Sequence, residues 1–504
     1  MSGRDAEETS SLLPGTDQEI PPRDAVEQKS AIIAWTVIVI VFLVSVGGQL
    51  MDYSSLRILE SIICYRTWQN KDPSKLRLVG DEVGPGALGG VSEELCKGND
   101  IQGELATLRG YQQLLDGAPG LVLALPFGYA ADRFGRRPLV LLALTGFALQ
   151  ASWIQIVMWF WRSFDVHLVL LSSLSGLFGA TSAIFDCLLL AILSDVTKFT
   201  QRTTVFLRLG AASYVALLVA PPLASLLMSI NPWISGLGGT ALMACAPILA
   251  ALLVPETKQK SVSPPSSRSQ IEPRRSTEID NTMDDGSHAK KPEPQWRARS
   301  RRAISFALRD LRVPVLIALF LGHQFIGATG SLLVQYCSKN YNITTAKATL
   351  LMSILQGVKA AHCALILPLI SSAISRHTKL SGPKRDLYLA RASLCLIAFG
   401  WSIIGASSSI AGVVSGMVFA ALGQGAYYMI RALVTALIPA DYIASVFSVI
   451  SILDTAGYML GGPVLSGLYR VGLHHGPPWI GLPFLFIGVV GLSFAFVLSL
   501  IKME

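Results

Sequence analysis

Three carboxylates stand inside otherwise apolar stretches: Asp116 in YQQLLDGAPG, Asp186 in SAIFDCLLL and Asp454 in SILDTAGYML. On the basic side are Arg208, His323 followed by Gln324 in LFLGHQFIGA, and Lys359 with His362 in QGVKAAHCALI. Ionisable groups are costly in hydrocarbon, so they face a cavity or a partner. A carboxylate placed there can carry a proton. His323 and Gln324 offer polar contacts in a cavity, whereas His362 reads as a packed or hydrogen-bonded histidine. Gln424, Tyr427 and Tyr428 in GQGAYYMIR add amide and aromatic groups, which suit an organic molecule better than a bare ion. Arg391 and Arg431 lie near the ends of their apolar stretches and are expected to snorkel.

Other chemistries lack their residues. There is no G-x-x-x-x-G-K-[ST], HExxH or GxSxG, so nothing cradles a nucleotide phosphate or marks a hydrolase. Gly423 and Gly425 form half of a dinucleotide fingerprint, but inside an apolar stretch helix packing explains them better. No Cys/His spacing suits a metal, and the cysteines at 187, 245, 363 and 395 read as small packing residues. The expectation is a protein that is not an enzyme and holds no cofactor or metal.

The elements that must position these residues follow from composition. The 504-residue chain is 51% hydrophobic and only 15% charged, against roughly 25% charged in soluble domains. Stretches such as 31–50, 166–192 and 480–501 run for about 20 residues or more almost without charge, enough to cross the roughly 30 Å hydrocarbon layer as helices. About twelve spans are expected, six within 31–254 and six within 313–504, making an all-α membrane protein of two six-helix halves. Residues 1–30 read as a cytoplasmic tail. Residues 255–312 are rich in Ser, Pro and charge and read as a disordered cytoplasmic linker. Its end, PQWRARSRRAISF, suits either an anionic leaflet surface or a solvated tether. The net charge of +8 lies in connecting segments rather than on one globular face, which argues against a nucleic-acid partner.

Lysine and arginine orient the spans. With the N-terminus in the cytoplasm, DRFGRR, KFTQR, RHTKLSGPKR and the linker with its thirteen basic residues fall inside, while the short outer loops hold Arg162, Lys339 and Arg470. An even span count returns the C-terminus to the cytoplasm. The long outer loop, 54–107, begins with a helical extension of the first span. Cys64 and Cys96 both fall on this oxidising side and could form a disulfide, with Cys337 near the same face as the rival partner.

Between the second and third spans stands GYAADRFGRRP. Its residue types and spacing resemble the loop signature of the major facilitator superfamily, G-x-x-x-D-[RK]-x-G-[RK]-[RK], with Gly128, Asp132, Arg133, Gly135, Arg136 and Arg137 at every defined position. VPET at 254–257 and SDVTKFTQR at 194–202 extend the likeness. The resemblance implies the major facilitator fold and a latch, in which Asp132 meets the positive end of span eleven and the arginines bridge carboxylates or lipid phosphates. Gly128 would let backbones approach and Gly135 would permit a tight turn. The matching C-terminal loop, SRHTKLSGPKRD, lacks that spacing, so the latch would be one-sided. GYMLGGPVLSG in span eleven suits a kinked close crossing. Spans eight and eleven are neighbours in that fold, so the resemblance also implies that Lys359 and Asp454 could pair, either gating with substrate or protons or simply neutralising each other.

RILESIICYRTW and VQYCSKNYNITTAKATLL look like fungal members of the superfamily. The resemblance implies proton-coupled efflux of a secondary metabolite or toxic compound by a monomer, in the plasma membrane or alternatively the vacuolar membrane. Proton-coupled uptake, as in folate-type carriers, and a non-transporting membrane sensor are the alternatives.

Overall fold

The computed structural model describes residues 23–197, 202–256, 310–377, 382–438 and 443–501. Residues 1–22 and most of the expected linker, with its basic end, lie outside that set. The described residues are helical, without a β-strand.

The first group comprises α1 (Arg23–Lys71), α2 (Asn99–Phe134), α3 (Arg136–Trp159), a 3₁₀ segment (Val166–Phe178) running into α4 (Ser182–Val196), α5 (Arg202–Ile230) and α6 (Pro232–Leu253). The second comprises α7 (Arg312–Gly327), α8 (Gly330–Asn340), α9 (Thr345–Ala361), a π turn (His362–Ile366), α10 (Leu367–His377), α11 (Gly382–Ala406), α12 (Ile410–Leu422), α13 (Ala426–Leu437), α14 (Ile443–His475) and α15 (Leu482–Leu500). Among the described residues, ten helical stretches are long and apolar enough to cross a membrane, and α7 with α8, bent by 43° at their break, make eleven. The expected twelve requires α2, which is 36 residues long but carries Arg109 and Asp116.

Three expected spans are broken. The fourth begins as a 13-residue 3₁₀ segment that ends at Gly179, the seventh breaks at Ala328–Thr329, and the tenth breaks at Gly423–Gly425. The outer loop is shorter than 54–107. No glycine or proline interrupts residues 49–71, so α1 continues to Lys71 and Pro73 follows its end; α2 then starts directly after Gly98. Only 72–98 is a true connection, built from short 3₁₀ turns and tied to α1 by a disulfide between Cys64 and Cys96. Cys337 is a free, buried thiol.

In the first group α1 packs on α5 and α6, and α3 on α6 and the 3₁₀ segment; in the second α11 packs on α12, α13 and α15, and α14 on α7. The groups meet along two pairs, α2 with α14 and α5 with α9. The first pair is close because both sides offer glycine. A Cβ on Gly462 would lie 2.6 Å from the Gly110 carbonyl oxygen, so neither position has room for a side chain.

Candidate functional site

Between these paired helices lies a cavity of about 560 Å³, within the ~300–1,000 Å³ usual for drug-sized ligands. Its first-group wall takes polar groups from one face of α2. Arg109, Gln112, Gln113 and Asp116 follow the i, i+3, i+4, i+7 spacing that brings residues to one side of a helix, and all four line the cavity. Arg109 pairs with Asp52 of α1 and donates to Gln112 Oε1 at 2.9 Å. The Asp116 carboxylate accepts from the Ser173 hydroxyl at 2.5 Å and the Gln150 amide at 3.0 Å. Its hydrogen-bond partners are thus neutral.

The second-group wall contains His323, Gln324, Gln356, Lys359, Gln424 and Tyr428. Asp454 stands just behind it, 8% exposed. Its carboxylate meets His323 Nδ1 at 3.0 Å and the Arg431 guanidinium at 2.9 Å. The Tyr427 ring packs 4.2 Å from the His323 ring, centre to centre, and Arg431 lies over Phe320.

Several expectations need correction. Lys359 does not pair with Asp454: α9 packs along α5 and α12, α14 packs along α2 and α7, and the cavity lies between them. Arg431 does not snorkel freely, because Asp454 holds it. Arg391 donates to the carbonyls of Leu498, Ser499 and Ile501, so it caps the end of α15. Tyr427 is buried behind the wall, and its neighbour Tyr428 takes the lining position. Asp186 lies exposed on α4 and is not among the cavity-lining residues. His362 is packed, with neither ring nitrogen hydrogen-bonded. Asp52 and Arg109 were missed because both fall at the edges of apolar stretches, where charge reads as the start of a loop. Their signal was the spacing of Arg109, Gln112, Gln113 and Asp116.

The end of the molecule bearing the 72–98 connection is closed by an ion cluster of the first group whose hydrogen bonds cross to the second. Lys97 contacts Glu60 at 2.8 Å, Glu93 at 3.3 Å and the Ser338 hydroxyl at 2.6 Å. Glu93 also pairs with Arg57 and accepts from the Thr345 backbone N–H at 2.7 Å, while Lys339 donates to the Lys97 carbonyl. Burial works against the Glu93 charge, but Arg57, Lys97 and the Thr345 hydrogen bonds outweigh it and hold its carboxyl below the usual 4.5.

At the opposite end GYAADRFGRR turns from α2 into α3. Gly135 adopts φ +102°, a left-handed conformation that favours glycine, and a Cβ there would strike the Glu256 carboxylate. Arg136 pairs with Asp195 at the end of α4 at 3.0 Å, and its backbone N–H donates to Glu256 at 3.1 Å. Arg137 reaches the Ala251 carbonyl, and Arg133 lies beside the Phe134 ring. These contacts tie α3, α4 and α6 of one group together. Gly128 faces open space rather than a close neighbour. The side chain of Asp132 and residues 439–442 before α14 lie outside the described set, and with them the expected contact between the groups.

The helix arrangement with its cavity between two groups defines a membrane transporter fold. The Major Facilitator Superfamily family model matches residues 110–462, and the chain belongs to that superfamily. It is 29% identical over 468 residues to an MFS efflux pump, atnC, of Emericella nidulans, covering 91% of this chain and 85% of that protein. It is 28% identical over 497 residues to an MFS-type transporter, aprT, of Aspergillus flavus, covering 98% and 93%. Among solved structures, a bacterial homologue of the human lysosomal transporter Spinster, described as inward-facing and unoccupied, matches with a TM-score of 0.57 at 13% identity. That match covers 94% of this chain and 96% of the other.

Proposed function

We propose that the protein exports a small organic molecule by proton-coupled alternating access, as a monomer in the plasma membrane with both termini in the cytoplasm. The observation that carries this reading is the cavity at the meeting of the two groups, lined by amides, aromatic rings and a carboxylate with neutral hydrogen-bond partners. Residues 31–254 and 313–504 are the two moving halves, with 255–312 as their tether. The bias of basic residues assigns the DRFGRR end to the cytoplasm. On that assignment the Lys97–Glu60–Glu93 cluster closes the outer end, and the conformation faces inward. The likeness to the Emericella nidulans efflux pump favours export over uptake, and the lined cavity favours transport over sensing.

Asp116 is the proposed proton carrier. It can gain or lose a proton without breaking an ion pair, whereas Asp52 and Asp454 are each tied to a cation. The direct test compares metabolites retained and secreted by cells with and without the protein. Export predicts that at least one small organic molecule moves from medium to cell when the gene is deleted. Identical profiles, or loss of a nutrient from the cell instead, would contradict it.

A further inference from the structure

Lys359 differs from every other charged residue that lines the cavity. Arg109 is matched by Asp52, His323 by Asp454, and Asp116 is held by Ser173 and Gln150. Among the described residues Lys359 has neither an ion pair nor a side-chain hydrogen bond, although it borders the cavity. Lys359 is half-buried in the cavity wall, and an ammonium partly withdrawn from water without an anion favours the approach of one. The missing partner has the chemistry of a negative group.

The surrounding wall is built to hold the lysine there. Lys359 occupies the last turn of α9, and Gln356 and Cys363, three residues before it and four after, line the cavity on the same side. Directly behind, the helix widens into the π turn His362–Ile366, an irregularity often found at functional sites. His362 is 4% exposed and sits against the break in the tenth span: a Cβ on Gly425 would lie 2.9 Å from its Nε2. That break carries Gln424 and, one turn on, Tyr428, both in the cavity wall. Two helix irregularities thus converge on one uncompensated cation with neutral hydrogen-bonding groups beside it.

We propose that Lys359 anchors the cargo and that the cargo is a small organic carboxylate. Its negative group meets the ammonium, and its polar and aromatic parts meet Gln356, Gln424 and Tyr428. This rests on the reading of the cavity as the cargo site, and it is testable without any transport.

The test uses the full chain in lipid nanodiscs with Cys187→Ala, Cys245→Ala, Cys337→Ala and Cys395→Ala, leaving Cys363 as the one free thiol. Alkylation of Cys363 by N-ethylmaleimide is timed in the presence of indole-3-acetate or its uncharged amide, indole-3-acetamide, at concentrations up to millimolar. The acid is expected to protect at about a tenfold lower concentration than the amide. Lys359→Arg should keep that preference and Lys359→Met should lose it. Comparing the two probes within each variant cancels any effect of the substitution on thiol reactivity. Equal protection, no protection by either probe, or a preference surviving in Lys359→Met overturns the proposal. Because binding is read at rest, the outcome is independent of whether the protein moves protons or exports anything.

Discussion

Asp116 and Asp454 show how the same residue type takes different work from its neighbours. Asp116 is held only by Ser173 and Gln150, and Asp116→Asn preserves those contacts in shape while removing the titratable group. The variant is expected to fold and insert normally and to lose gradient-driven transport by about tenfold or more, at least ~1.4 kcal/mol in the limiting barrier. Flux measured beside a melting curve separates the two effects. Asp454 belongs to a pair whose partner, Arg431, is 42% exposed, so Arg431→Met should destabilise by less than the ~3–5 kcal/mol of a fully buried pair. About 1–2 kcal/mol is expected, and Asp454→Asn in the same chain should recover part of it. A double-mutant cycle in thermal unfolding reads both; full additivity would mean the contact carries no energy. Asp116, His323 and Lys359 were legible because each interrupts an apolar run. Pairing was not, since it depends on which helices cross. Lys359 and Asp454 looked equally available in sequence, and only the separation of α9 from α14 keeps them apart.

At the scale of elements, hydrophobic length located the helices but not their interruptions. The 3₁₀ stretch before Gly179, the Ala328–Thr329 bend and the Gly423–Gly425 break all lie within continuous apolar sequence, so hydropathy passes over them. The outer end of α2 was misjudged for the opposite reason, whereas the helical extension of α1 was expected. Both helices run on past the apolar stretch, carrying charges that look like loop. The α1 extension brings Glu60, and the 72–98 connection brings Lys97, to the ion cluster that hydrogen-bonds to α8 and α9, and the Cys64–Cys96 bond holds Lys97 in place. Removing that bond with Cys64→Ser and Cys96→Ser should cost roughly 3–4 kcal/mol. The variant should melt lower and expose Cys337 to alkylation.

Glu93 makes the cluster acid-sensitive. Its folded carboxyl is held below 4.5, so its contribution is complete above the ordinary glutamate range and is lost as pH falls through the depressed folded value. Thermal stability should therefore fall in acid, and Glu93→Gln should flatten that fall. An unchanged pH profile in the variant would remove Glu93 from the account.

For the whole molecule, the fold class and the family were readable from span spacing and from GYAADRFGRR, because lipid permits few architectures and the motif has every defined residue. Which helices the motif residues touch was not readable, since residue spacing does not say how helices pack. The described motif contacts, Arg136 with Asp195 and Glu256, bind helices of a single half and so travel with it. Asp132→Asn is expected to slow cycling several-fold while leaving insertion intact, and full activity would mean that the motif only fixes topology. Proton-coupled export through the cavity is read out by proton movement itself. Proteoliposomes containing the full chain and an internal pH dye would be given the molecule identified by comparing secreted metabolites. Its transport is expected to move protons the opposite way, and Asp116→Asn is expected to abolish this proton signal. Transport of the molecule with no accompanying proton movement, or a signal unchanged in Asp116→Asn, would contradict it.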